Sequence, residues 1–209
     1  MTTTQPPHRI VGLLKVVCGP MFSGKTELLL SLLRRAELAR KKVLLIKNHV
    51  DTRNTEDFVV GHDGTKRTAL LVKNNSGDFM EIIDAAQKVD VVGFDETQFF
   101  SKEIIGTIET LVLMGKSVIA SGLDLDFRGV PFNSVAMLSS MADEIVKLSS
   151  VCMICGEEAR FSQRIIDGKP ANFHDPIILV GAEECYEPRC RSCFASRGPI
   201  MDGIIEKQI

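Results

Sequence analysis

The run Gly19-Pro20-Met21-Phe22-Ser23-Gly24-Lys25-Thr26 has the composition and spacing of a loop that holds phosphate. Gly19 and Gly24 let the backbone curl so that successive N–H groups face an anion, and a helix starting just beyond adds its positive end. A lysine directly after the second glycine reaches β and γ phosphates, and the hydroxyl that follows can coordinate Mg²⁺. These eight residues therefore point to a nucleoside triphosphate such as ATP, bound with Mg²⁺ through Thr26.

A second chemical element is Val91-Val92-Gly93-Phe94-Asp95-Glu96, two carboxylates at the end of an apolar run. At the C-terminal edge of a parallel sheet, where ligands bind, Asp95 would hold the metal and Glu96 would face the group that attacks the γ phosphate. The attacking group could be a substrate hydroxyl or a water; the acidic pair does not choose.

Cys152-x-x-Cys155 and Cys190-x-x-Cys193 are two knuckles with 34 residues between them. Four thiolates suit tetrahedral zinc, and a site closed by four cysteines has no open position for substrate, so the metal is expected to be structural. Cys185 lacks a partner two residues away and is not expected to be a ligand. Cys18, beside the phosphate loop, reads as a small buried hydrophobe.

Positioning these groups requires a scaffold, and the apolar pattern supplies one. Leu13 to Val17 reads as a strand, and Leu28, Leu29, Leu32, Leu33 and Ala36 mark one face of a helix from Thr26 to about Arg40. Val43 to Ile46 is a second strand, and Asn48 to about Arg67 a polar loop long enough to be functional. A strand near Ala69 to Val72, a helix from Asp78 to Gln87, a strand from Asp90 to Phe94, a helix through Ile104, Ile108 and Leu111, and a strand from Ser117 to Ala120 continue the alternation. Ser101 is the expected cap of the last helix and Gly115 its stop. Such alternation predicts an α/β fold, a RecA-like domain whose mainly parallel sheet is flanked by helices, followed by a small zinc ribbon. The expected divisions are a tail at 1–10, the nucleotide-binding domain at 11–150, the ribbon at 151–195 and a tail at 196–209.

With 209 residues, 44% hydrophobic and 25% charged, the chain has enough apolar material for one catalytic-sized domain and an appendage. Its 25 basic and 27 acidic groups leave a net charge of −2, which argues against a surface built for a nucleic-acid polymer or an anionic membrane. The stretch 151–209 is itself net acidic and holds four aromatics, Phe161, Phe173, Tyr186 and Phe194, a poor composition for gripping nucleic acid. No run approaches a membrane span and the first residues hold no hydrophobic signal core, so a cytoplasmic location is expected.

Taken together, GPMFSGKT, DETQFF and the four-cysteine ribbon following VKLSSVCMIC resemble the type II thymidine kinase family, over about Leu13 to Phe194. Lys47 through Arg53 ending in DTR, the pair His62-Asp63, LDLDFRGVPF at 123–132 and the late ILVGAEECYEPRC agree with that resemblance. It implies transfer of the ATP γ phosphate to the 5′-hydroxyl of thymidine or deoxyuridine, with Glu96 as base, Lys25 on the phosphates and Arg53 near the one that is transferred. Asp51 and Gln98 would hold the deoxyribose. Met21, Phe99, Leu123, Phe127, Phe132, Ser162 and Tyr186 would surround the base, although Met21, Phe127 and Phe132 are also ordinary core formers. A lasso from the ribbon would bring main-chain groups of Leu179, Val180 and Gly181 to the thymine edge, whose N–H between two carbonyls such groups can match. The resemblance further implies a homotetramer, feedback by thymidine triphosphate and a role in nucleotide salvage. Here Gly64 follows His62-Asp63 where an arginine is common, and Cys185 replaces a more polar residue. Two other readings are a RecA-like ATPase whose zinc ribbon acts on nucleic acid, and a deoxynucleoside kinase of different base specificity.

Overall fold

The structure is a computed structural model that describes residues 11–49, 58–60, 66–74, 76–177 and 185–195. Its centre is a six-stranded, wholly parallel sheet in the order β5-β2-β6-β7-β1-β8. The strands are β1 (Leu14–Cys18), β2 (Val43–Asn48), β5 (Leu70–Val72), β6 (Val91–Asp95), β7 (Ser117–Gly122) and β8 (Glu144–Lys147), with a hairpin β3 (Phe58–Val60) and β4 (Lys66–Thr68) between β2 and β5. Four helices connect them, α1 (Lys25–Leu38), α2 (Ser76–Ala86), α3 (Glu103–Leu113) and α4 (Asn133–Met141).

Because neighbouring residues on a strand face opposite ways, apolar strands feed two cores at once. Val16, Ile46, Val92, Phe94, Val118 and Ala120 meet Ile82, Ile104, Ile108, Leu111, Val135 and Leu138 of α2, α3 and α4 on one face. Val17, Leu45, Val91 and Ile119 meet Leu29, Leu30 and Leu33 of α1 on the other, together with Val59 of the hairpin. Gly93 makes the second packing possible: a Cβ there would stand 2.9 Å from Leu33 Cδ1 and 3.2 Å from Leu29 Cδ1.

The parallel sheet, its flanking helices and the order of the eight strands and helices read up to Ala120 match the sequence reading. Three features differ. The polar stretch after Asn48 is not all loop, since its described residues include the hairpin β3–β4, which places Val59 and Ala69 under α1. Ser101 does not cap α3; Lys102 holds that position and makes no side-chain cap bond. Gly115 does end the helix, with φ 83° and bonds back to Val112 and, from Lys116, to Leu111. The periodicity also gave no sign of α4 and β8, because LDLDFRGVPF interrupts it and Glu144, Ile145 and Lys147 of β8 are exposed at an edge.

Beyond Ser149 the chain forms short antiparallel pieces: β9 (Ser150–Val151) with β10 (Glu158–Ala159), and β12 (Lys169–Pro170) with β11 (Phe161–Ile166) and β13 (Cys185–Arg189). Among the described residues, no helix is long and apolar enough to cross a membrane.

Candidate active site

The phosphate loop bridges β1 and α1. Gly19 (φ 150°), Phe22 (φ 60°) and Gly24 (φ 81°) turn its backbone into left-handed conformations, and Gly24 is the N-cap of α1. Ser23 Oγ donates to the Pro20 carbonyl at 2.8 Å, closing the loop on itself. Lys25, 8% exposed, donates from Nζ to the same carbonyl at 2.7 Å. Its ammonium thus sits within the curl that its backbone makes.

β7 stands between β1 and β6, so Asp95 and the phosphate loop meet across one strand. Thr26 Oγ1 lies 3.4 Å from Asp95 Oδ1, and Asp95 is only 4% exposed. A hydroxyl and a carboxylate aimed at each other at the end of a phosphate loop suit a shared Mg²⁺. Immediately after β6, Glu96 adopts φ 51°, ψ 48°, a left-handed conformation that costs a side-chain-bearing residue on the order of 1 kcal/mol or more. The turn Thr97–Phe99 that follows brings Gln98 back to Glu96: its Nε2 donates to Glu96 Oε2, while its Oε1 accepts from the Leu123 backbone N–H at 2.9 Å. Gly122 permits this, since a Cβ there would stand 2.8 Å from Gln98 Oε1.

The same turn is buttressed from β2 and the chain after β5. Asn48, 0% exposed, donates to Asn74 Oδ1 at 2.8 Å, and Asn74 donates to the Phe99 carbonyl at 3.0 Å and accepts from Ser101 N–H at 3.2 Å. Phe99 is half-buried at the turn's end.

After β7 the chain folds back on itself at 124–132. Asp126 accepts from the N–H groups of Arg128 at 2.9 Å and Val130 at 3.0 Å, which sets Phe127 at the tip. Phe127 is 3% exposed yet belongs to neither core of the sheet; its ring faces the Arg164 guanidinium at 4.1 Å. Phe132, by contrast, packs against the core under α2, α3 and α4. Ser162 on β11, 2% exposed, accepts from the Met21 backbone N–H at 2.9 Å, and Ser150 Oγ donates to the Phe22 carbonyl at 3.0 Å. Tyr186 on β13 accepts from Arg164 Nε at 2.9 Å. The segment after Ser149 therefore touches the phosphate loop directly. Asp51, Arg53, His62, Asp63, Leu179, Val180 and Gly181 lie outside the described residues.

The ligand atoms of Cys152, Cys155, Cys190 and Cys193 all lie within 4.8 Å of one another. Cys155 Sγ stands 3.6 Å from Cys190 Sγ and 3.7 Å from Cys193 Sγ, close to the edge of about 3.8 Å that a tetrahedron with Zn–S bonds near 2.3 Å requires. Burial opposes ionisation of Cys152, but the N–H groups of Cys190, Cys155 and Ile154 outweigh it and bring that thiol down to about 6. Donors aimed at sulfur are what a thiolate site needs, so the four residues fit zinc. Cys185 is exposed and stands apart from this cluster, and burial raises the thiol of Cys18.

Two residues of this arrangement carry no sequence signal that sets them apart, Arg164 and Asn74. Arg164 sits inside an otherwise strand-like run, and Asn74 in a polar turn.

A family model of thymidine kinases matches residues 12–194. The chain belongs to the thymidine kinase family. Looser likenesses join it to solved structures of other proteins. One is a DNA replication initiation factor, at 17% identity and a TM-score of 0.40. Another is the replication initiator DnaA bound to AMPPCP and single-stranded DNA, at 16% and 0.41, and a third AMPPCP-bound DnaA from Aquifex aeolicus, at 16% and 0.39. Each match covers 66% of this chain and 40% or 41% of the other, so this chain spans about two fifths of the length of those proteins.

Proposed function

We propose that this protein transfers the γ phosphate of ATP to the 5′-hydroxyl of thymidine or deoxyuridine. The observation that carries the reading is Glu96, clasped by Gln98 beside the Thr26–Asp95 pair at one edge of the sheet. Membership of the family supports it over an ATPase acting on nucleic acid.

In this reading the backbone of Gly19, Pro20, Met21, Phe22, Ser23 and Gly24 cradles the phosphates, and Lys25 exchanges the Pro20 carbonyl for their oxygens. Thr26 and Asp95 would hold Mg²⁺, which would supply charge neutralisation at the phosphates. Glu96 accepts the proton of the 5′-hydroxyl as it attacks. The amide of Gln98 aims the carboxylate, and its second N–H reaches the deoxyribose with Asp51. Arg53 stabilises the transferring phosphate. Phe99, Leu123, Phe127, Phe132, Met21, Ser162 and Tyr186 wall the base, whose edge meets main-chain groups of Leu179, Val180 and Gly181. The four cysteines would hold zinc, which would fasten the two knuckles of the ribbon, 151–195, to each other, and Ser150 and Ser162 would seat that ribbon on the phosphate loop of the nucleotide domain, 11–150. The family resemblance also supports a cytoplasmic homotetramer restrained by thymidine triphosphate.

Incubation with ATP, Mg²⁺ and each deoxynucleoside in turn tests the reading. Thymidine and deoxyuridine should yield their 5′-monophosphates. Turnover confined to deoxycytidine or deoxyguanosine would keep the kinase and change the base; ATP hydrolysis that needs nucleic acid would overturn it.

A further inference from the structure

Arg164 is 0% exposed in the middle of β11. A guanidinium removed from water is stable only where its N–H groups and faces are matched. Here Nε donates to Tyr186 Oη at 2.9 Å, one terminal nitrogen donates to the Pro176 carbonyl at 2.6 Å and the other to the Ile177 carbonyl. The guanidinium carbon lies 4.1 Å from the centre of the Phe127 ring and 5.4 Å from that of Tyr186. One side chain thus grips three separate stretches: the fold-back after β7, strand β13 and the chain at Pro176–Ile177. Two residues earlier on the same side of β11, Ser162 takes the Met21 N–H. An apolar side chain of equal size at 164 would strip the Tyr186 hydroxyl and two carbonyls of this donor, so the position is not generic core.

We propose that Arg164 is a positioning residue for the nucleoside: it fixes the distance between the Phe127 and Tyr186 rings and the course of the chain at Pro176–Ile177. The proposal rests on the thymidine kinase reading above. Preformed aromatic walls spare the ligand the cost of ordering them, so the residue acts on nucleoside binding. The phosphate-handling groups stand on α1 and at the end of β6, two other elements.

Arg164→Lys keeps the charge and loses the planar fork. In the full-length protein it should raise the KM and directly measured Kd for thymidine at least about tenfold, while kcat at saturating thymidine falls less than about threefold. The KM for ATP and the zinc content should be unchanged. Tyr186→Phe removes the hydroxyl that accepts from Nε and keeps the ring, and it should raise the thymidine Kd by a smaller factor. Combined with Arg164→Lys it should add less than its factor alone, since both act through one bond. A thymidine Kd within twofold of the wild type in Arg164→Lys overturns the proposal, as does a loss of kcat with Kd unchanged. If Arg164→Lys does not fold, an unchanged Kd in Tyr186→Phe overturns it as well. Wild-type protein that fails to phosphorylate thymidine sinks the underlying reading and this inference with it, whereas an active wild type with an indifferent Arg164→Lys sinks the inference alone.

Discussion

Glu96 is held twice, by the left-handed turn that ends β6 and by the Gln98 amide on its carboxylate. If Glu96 is the base, as proposed, so tight an aim should make its role separable from binding. Glu96→Gln preserves size and an oxygen for Gln98, and removes only the ability to take a proton. Positioned general bases are worth on the order of 10²- to 10⁴-fold, so kcat should fall by about that factor while thymidine affinity barely changes, as steady-state kinetics and calorimetry can read. A loss smaller than about tenfold would mean that proton removal is late in the loose transition state of phosphoryl transfer. At this scale the spacing of Lys25, Thr26, Asp95 and Glu96 was legible because the chemistry itself dictates it. Arg164 was not, because the alternation of a strand says which residues share a side, not which side the rest of the chain will cover. Nor could the bond from Met21 N–H to Ser162 be read, joining residues 141 apart.

Elements make their own demands. α1 lies against β6 because Gly93 has no side chain, and Gly93→Ala would drive a methyl to 2.9 Å from Leu33 Cδ1, a residue wholly buried. Overpacking of this kind costs about 1–3 kcal/mol, and the midpoint of a denaturant titration should fall accordingly. An unchanged midpoint would mean that α1 slides outward freely. Zinc on the four cysteines, as proposed, would make the ribbon depend on its metal. Cys155→Ser should lose the zinc and unfold the knuckles, since structural zinc contributes folding free energy directly, and metal analysis of the purified variant decides it. Acid should do likewise: each ligand must be a thiolate, so protons compete with zinc as pH falls. Helices α1, α2 and α3 and the buried strands were legible here from apolar period alone, and the cysteine pairs from their spacing, whereas α4 was hidden behind LDLDFRGVPF, which breaks the period just before it. The hairpin β3–β4 was not, because three-residue strands are too short to show a period, and β8 was not, because an edge strand with exposed residues looks like loop.

For the whole molecule, the sheet order sets the chemistry. With β7 between β6 and β1, the acidic end of β6 stands across from the phosphate loop, and the turn after β7 delivers Phe127 toward β11. Composition and alternation reveal such an α/β unit but not which strands are neighbours, because every buried parallel strand presents the same apolar run. Ordered motifs carried the reading further than the pattern did, and the family match over residues 12–194 agrees with them. In the proposed reaction Glu96, Lys25 and the Thr26–Asp95 pair together deliver a phosphate to a nucleoside hydroxyl. Labelling the γ phosphate of ATP tests this most directly. The label should appear on the 5′-oxygen of thymidine, one for each ADP formed, and should vanish from it in the presence of excess chelator. Label released as inorganic phosphate at the same rate with or without thymidine would contradict it.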